Sequence, residues 1–229
     1  HQLILEPEQA ICLDIIYGMA EDREACLHLI GKYQDYHLAD RILELAWTHN
    51  QVILRQLNAN EVDAQLYGRL AGSVIYANSV LRASATTLIK NRRDQSGLWS
   101  YAISGDLPIV LVKIRNAANI DLVRQMVQAH AYWRLKGLVV DLVIWNEDEA
   151  GYRQVLQDQI LGLIAAGLEA NVLDKPGGIF VRPGDQISPE DYILIESVAR
   201  VILTDENGTL SEQLSRPHLR SIRTPIFLP

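Results

Sequence analysis

The sequence predicts an α/β fold: an N-terminal β-hairpin and a helical linker, followed by a small three-layer domain built on a parallel sheet. Three observations carry this expectation. From residue 106 to residue 203, apolar runs of strand length alternate with amphipathic helical stretches. Those runs show little internal polar alternation, which is the pattern of strands covered on both faces. Between residues 19 and 81 the apolar spacing is helical, and only the first 18 residues alternate as an open hairpin would.

The hairpin is expected over residues 1–18. Leu3-Ile4-Leu5 leads into a Glu6-Pro7-Glu8-Gln9 turn, and Ile11, Leu13, Ile15 and Tyr17 come next at alternate positions. A two-stranded ribbon is marginal by itself, so it reads as the edge of a larger sheet or as a ribbon packed on the adjoining helical region. The helical linker is expected over residues 19–96. Cys26, Leu29, Ile30 and Tyr33 make one stripe, and Leu38, Ile42, Leu45, His49, Val52 and Gln56 mark a second helix. Asn60 is placed to cap a third, with Val62, Leu66, Leu70 and Val74 inward. Residues 82–96 are polar and read as a loop.

The α/β domain is expected over residues 97–215. Its strands are 106–114, 138–145, 178–182 and 199–203. Asn119 is placed to start a helix that shows Val123, Met126, Val127, His130 and Trp133 on one face, and Gly137 to end it. A second helix runs through Tyr152, Val155, Leu156, Ile160 and Leu163. Ser188-Pro189-Glu190-Asp191 is a strong helix start, with a capping hydroxyl and then proline in the first turn. Residues 216–229 read as an extended C-terminal linker.

Composition narrows the function classes. The 229 residues carry 28 acidic against 21 basic side chains, a formal charge of -7, which disfavours nucleic acid and anionic membrane surfaces as partners. Lys90-Asn91-Arg92-Arg93 is the one basic cluster and, with Asp94 behind it, reads as a solvated loop. Cys12 and Cys26 sit among apolar neighbours and read as buried free thiols, consistent with a reducing compartment. The longest apolar run, Leu138 to Trp145, is interrupted by Asp141 and far too short to cross a bilayer, and no signal peptide is visible. A soluble location is therefore expected. The six histidines lack metal-ligand spacing, and no glycine-rich turn succeeds the first strand, so neither a metal nor a cofactor is expected.

In open parallel sheets ligands bind beyond the carboxyl ends of the strands. Those ends carry Lys113 and Arg115; Asn146, Glu147 and Asp148; Arg182; and Asp205, Glu206 and Asn207. Both signs of charge are present, which suits a polar uncharged ligand such as a sugar; the same residues also serve as ordinary loop caps. Trp99, Tyr101, Trp133 and Trp145 offer either a stacking platform or core aromatics. The candidate binding set is Trp99, Tyr101, Asn146, Glu147 and Arg182, with no catalytic residue assigned.

The stretch Gln95 to Ile114 (Gln-Ser-Gly-Leu-Trp-Ser-Tyr-Ala-Ile-Ser-Gly-Asp-Leu-Pro-Ile-Val-Leu-Val-Lys-Ile) is distinctive. It resembles a stretch of cyclic β-1,2-glucan synthases, in the part related to glycoside phosphorylases. Residues 129–137, 140–147, 174–180 and 198–203, together with 18–21 and 44–48, resemble the same region, so the likeness spans nearly the whole chain. The resemblance implies a place between two β-sandwich modules, ahead of an (α/α)-barrel phosphorylase domain. On that reading the hairpin closes the first sandwich, and the partners are the sandwich and barrel domains of the same polypeptide. It implies β-1,2-glucan as a ligand, and a cytoplasmic position in an inner-membrane-associated protein without direct membrane contact. The family polymerises UDP-glucose, cyclises the product and trims it by phosphorolysis. The Asp-x-Asp and Gln-x-x-Arg-Trp patterns of processive glycosyltransferases are not in this sequence. Two functions are thereby expected: a non-catalytic connector, or a carbohydrate-active domain performing glycosyl transfer or phosphorolysis at the carboxyl ends of the strands.

Overall fold

The computed structural model describes residues 3–13, 15–148, 153–167 and 171–216. The chain divides into two compact units, His1–Val52 and Ile53–Pro229.

In the first unit the expected turn forms, with the Gln9 N–H donating to the Glu6 carbonyl at 3.0 Å and Glu8 at φ 67°. The hairpin does not. Residues 3–13 and 15–18 carry no strand, and Ile4, Ile11, Leu13 and Tyr17 are exposed. With its apolar side chains uncovered, the ribbon has too little burial to hold its ladder. Helix α1 (Arg23–Tyr33) starts at Asp22, whose carboxylate accepts the Ala25 N–H at 2.8 Å, and buries no residue. Helix α2 (Tyr36–Gln56) leaves Ile42, Leu45 and Val52 exposed. The thiol expectation is corrected too: Cys12 is exposed and Cys26 half-buried, because neither stands on an element with a covered face.

The second unit opens with α3 (Glu61–Ile75). Asn60 caps it as expected, its Oδ1 accepting from Val62 and Asp63 while the Asp63 carboxylate accepts the Asn60 N–H in return. Residues 82–96 are not simply a loop. Ser84 caps a short helix, α4 (Ala85–Lys90), and α5 (Ser96–Trp99) comes after it. Both pack against a later helix, α8 (Pro189–Val198), so tertiary contact overrides weak local propensity.

The expected β/α alternation is observed: β1 (Ile109–Ile114), α6 (Ile120–Leu135), β2 (Asp141–Asn146), α7 (Arg153–Ala166), β3 (Ile179–Pro183), α8 and β4 (Val201–Thr204), then α9 (Leu210–Leu214). Ser188 caps α8 with Pro189 in the first turn. Asn119 precedes α6 without capping it through its side chain; its amide donates to Asp205 at 3.3 Å instead. Tyr152 and residues 217–229, expected in a helix and a C-terminal linker, lie outside the described residues.

The four strands are parallel in the order β3-β2-β1-β4. Alternation sorts their side chains onto two faces. Val110, Val112 and Ile114 join Leu142, Ile144, Ile179 and Val181 under α3, α6 and α7. Ile109, Leu111, Val143, Trp145 and Phe180 form the other core with Leu194 and Ile195 of α8. The crossovers β1-α6-β2 and β2-α7-β3 thus step one way over one face, and β3-α8-β4 steps back over the other. All three therefore have one hand, as a doubly wound sheet requires. Beyond β4, the Ile202 N–H donates to the Leu81 carbonyl at 2.7 Å; beyond β3, Leu173 bridges Ile179 and the Asp174 N–H reaches the Ile179 carbonyl at 3.0 Å.

Two polar features are buried with the core. His130, read as a core histidine or a ligand, is a core residue, its Nε2 3.1 Å from the Val140 carbonyl oxygen. Asp141 opens β2 with its carboxylate buried and accepts the Gly177 N–H at 2.7 Å. Burial raises its pKa, against the Gly177 bond and the nearby His130.

The turn before β3 is the tightest point of the unit. A Cβ on Gly178 would lie 1.8 Å from the Val172 carbonyl oxygen. Gly178→Ala is expected to cost roughly 2–4 kcal/mol in urea denaturation, against about 1 kcal/mol for Gly137→Ala, where only the φ of 84° opposes the new methyl. Because the folded Asp141 carboxyl binds its proton more tightly than the unfolded one, its burial costs most above the raised folded pKa. Relative to Asp141→Asn, the unsubstituted chain is expected to gain stability as pH falls through that value toward 3.8, read from denaturation midpoints across the acid range.

Candidate functional site at the carboxyl edge of the sheet

The order in which the chain adds strands reverses between β1 and β4, and the loops after these strands frame the position where a doubly wound fold usually binds its ligand. Here that position is filled by Asp205. Its Oδ2 accepts the N–H groups of Arg115 and Asn116, both at 3.0 Å, as well as the Asn119 amide. A carboxylate of the chain itself thus occupies the amides that would otherwise face a ligand.

On the face covered by α8, the last inward residue of each strand is polar or aromatic. Lys113, Trp145 and Arg182 lie in register across β1, β2 and β3. The Lys113 ammonium bonds the Tyr192 hydroxyl at 2.8 Å and pairs with Glu196. It also lies 4.5 Å from the Tyr192 ring centre and 5.2 Å from that of Trp145, and those two rings stack at 4.4 Å. The Tyr192 hydroxyl donates onward to Glu147 at 2.9 Å, and Glu147 takes the Arg115 guanidinium at 3.0 Å. Arg115 also pairs with Glu206. Burial, and then the adjacent Glu147, hold the Tyr192 phenol well above its ordinary pKa; Glu147 and Glu206 raise that of Arg115. One chain of partners therefore runs Glu196, Lys113, Tyr192, Glu147, Arg115, Glu206.

The five residues singled out from sequence do not form one site. Glu147 is central to this chain of partners. Asn146 is buried on the opposite face, where its amide donates to Gln157 at 3.3 Å and its side-chain carbonyl accepts the Asp148 N–H. Arg182 bonds the Tyr101 carbonyl at 2.7 Å and pairs with Asp174 at 2.8 Å. Tyr101 places its hydroxyl against Asp191 at 3.1 Å, near the cap of α8. Trp99 is 64 % exposed, with its indole N–H 3.4 Å from the Ser104 carbonyl. Trp133 and Trp145 are core, at 2 % and 0 % exposure. Tyr192 and Glu196 are not among the five; their spacing of four, one turn after the Ser188 cap, is the signal that aims both at the sheet. Among the described residues no group of three or more metal-ligating side chains converges, and no helix is long and apolar enough to cross a membrane.

What this edge does chemically is pair each of its cations, Lys113, Arg115 and Arg182, with a carboxylate of the chain itself. Lys113 and Glu196 are nearly buried, so removing one partner strands the other charge. Glu196→Ala is expected to cost about 2–3 kcal/mol in urea denaturation, whereas the paired change Lys113→Met/Glu196→Leu stays within about 1 kcal/mol of the parent.

No protein-family model matches the chain. Among curated proteins it is similar to the cyclic beta-(1,2)-glucan synthase NdvB of Rhizobium meliloti (strain 1021), with 31% identity over 198 residues. The match covers 86% of this chain but only 7% of the Rhizobium protein. The α/β unit with its self-paired carboxyl edge is therefore the counterpart of one short stretch of a far longer polypeptide. The chain is related to a short stretch of a cyclic β-(1,2)-glucan synthase.

Proposed function

We propose that the chain is a connector that holds neighbouring modules of a cyclic β-1,2-glucan synthase-like polypeptide at a fixed spacing, without performing the chemistry itself. The observation that carries this reading is the internal pairing of the cations at the carboxyl edge. Lys113, Arg115 and Arg182 are each paired, and Asp205 occupies the backbone amides at the switch point. A site that acts on a substrate keeps such groups aimed at space the substrate will fill; here they are aimed at each other. The apolar first unit supports the same reading. Among its described side chains none is buried, and Ile4, Tyr17 and Met19 are over four-fifths exposed. Exposed apolar surface on that scale suits contact with adjoining modules, for which the resemblance supplies β-sandwich and (α/α)-barrel domains.

The rival reading, glycosyl transfer or phosphorolysis at the strand ends, would use Glu147 as its acid or base. Two measurements separate them. Hydrogen exchange is expected to be fast over residues 3–52 of the chain alone, and to slow there once the chain is mixed with the regions flanking the matched stretch of the Rhizobium protein. Turnover of β-1,2-gluco-oligosaccharides with phosphate, or of UDP-glucose, by the chain alone would overturn the connector if Glu147→Gln abolished it.

A further inference from the structure

The stretch Gln95 to Pro108, the most distinctive in the sequence, contributes little to the carboxyl edge. It folds instead at the amino ends of β1 and β4, on the face covered by α8. The loop has a fixed shape: Ala102 and Gly105 take φ values of 61° and 78°, and Ile103 and Leu98 are buried beneath it. The Gln95 amide bonds both the Ser104 carbonyl at 2.8 Å and Asp106 at 3.1 Å. A non-glycine residue held at positive φ marks a loop whose conformation the surrounding structure fixes.

Between this loop and the end of α8 lies a groove of about 490 Å³. Its floor is apolar, with Leu98, Leu107 and Leu194. Its walls carry Asn91, Arg93, Asp94, Gln95, Asp106 and Arg200. The lining itself carries two arginines and two aspartates, and the acids beside Arg93 offset one of the arginines, so an anion meets no excess of positive charge. Arg93 is engaged with Glu190 and Asp191. The Arg200 guanidinium, in contrast, has no hydrogen bond or ion pair among the described residues, and only its backbone N–H is used, donating to Ile109 at 2.8 Å. Asp94 and Asp106 each engage only one carboxylate oxygen among the described residues. Free donors and free acceptors side by side suit hydroxyl groups, which give one bond and take two. Trp99 is exposed and outside the groove's lining, but its indole N–H shares the Ser104 carbonyl with Gln95 of the lining.

We propose that this groove binds a neutral β-linked gluco-oligosaccharide, with Arg200, Asp94 and Asp106 on its hydroxyls and Trp99 against a sugar face. The identity of the sugar rests on the glucan-synthase setting proposed above; the site itself rests on the groove. Of the candidate set it keeps Trp99, and it lies at the opposite edge of the sheet from Asn146, Glu147 and Arg182.

The test is a titration of the ¹⁵N-labelled full chain with linear β-1,2-gluco-oligosaccharide, monitored by amide shifts. Shifts are expected at residues 91–109 and 194–200, with affinity lowered about tenfold in Arg200→Ala, equivalent to one charge-assisted hydrogen bond. Trp99→Ala should weaken binding as well. Neither variant removes a core contact, and an unchanged urea midpoint checks that both stay folded. Shifts centred on Lys113, Glu147 and Arg182, or no shifts at millimolar ligand, overturn the proposal. Either result leaves the connector reading intact, since that reading is judged by exchange protection over residues 3–52.

Discussion

A parallel strand with neighbours on both sides and helices on both faces must be apolar on both faces, and β1 and β2 are the strands under that demand. Ile109 to Val112 of β1 meet it without exception, and each is buried. The rest of the second unit is arranged around β1. β2 and β4 pair with it, α6 and α7 cover its even residues, and α8 covers the odd ones. The first break comes at Lys113. A lysine entering a covered face has to be neutralised where it stands, and Tyr192 and Glu196 do so from α8. The rest of the carboxyl edge depends on that step, because Tyr192 then commits Glu147, and Glu147 commits Arg115.

Much of this was legible in sequence because it depends on short-range rules. Continuous β-branched runs located all four strands to within a few residues, and Ser188-Pro189 and Asn60 located two helix starts through the bonds that their side chains make. What was not legible depends on which face is covered by what. The alternation from Ile11 to Tyr17 is a sound strand pattern, but alternation specifies a sheet only when another layer takes its apolar side. Ser84 was lost in a polar stretch because α4 and α5 gain their stability from α8, far along the chain. The candidate site was legible as a set of polar strand ends and not as a geometry. Asn146 and Glu147 are neighbours in sequence, yet the pleat sends Asn146 to the α7 side and Glu147 toward α8.

The two ends of the sheet have therefore become chemically different. At the carboxyl end each of Lys113, Arg115 and Arg182 has a carboxylate partner. At the amino end, a loop held by Gln95 helps to line a groove that also carries Asp94, Asp106 and Arg200. The carboxyl end thus ties β1, β2 and α8 together, whereas the groove at the amino end leaves the Arg200 guanidinium without a partner among the described residues.

The segments lying outside β3 and β4 have a consequence for assembly. Leu173 and Asp174 on one side, and Leu81 on the other, satisfy part of the hydrogen-bonding rows that outer strands would present to solvent. Such rows are templates for adding a strand from another chain or another module. With both flanks partly occupied, the sheet is poorly suited to recruiting foreign strands. This favours contact with any adjoining protein surface through side chains over merger into a continuous sheet, and lowers the risk of edge-to-edge aggregation.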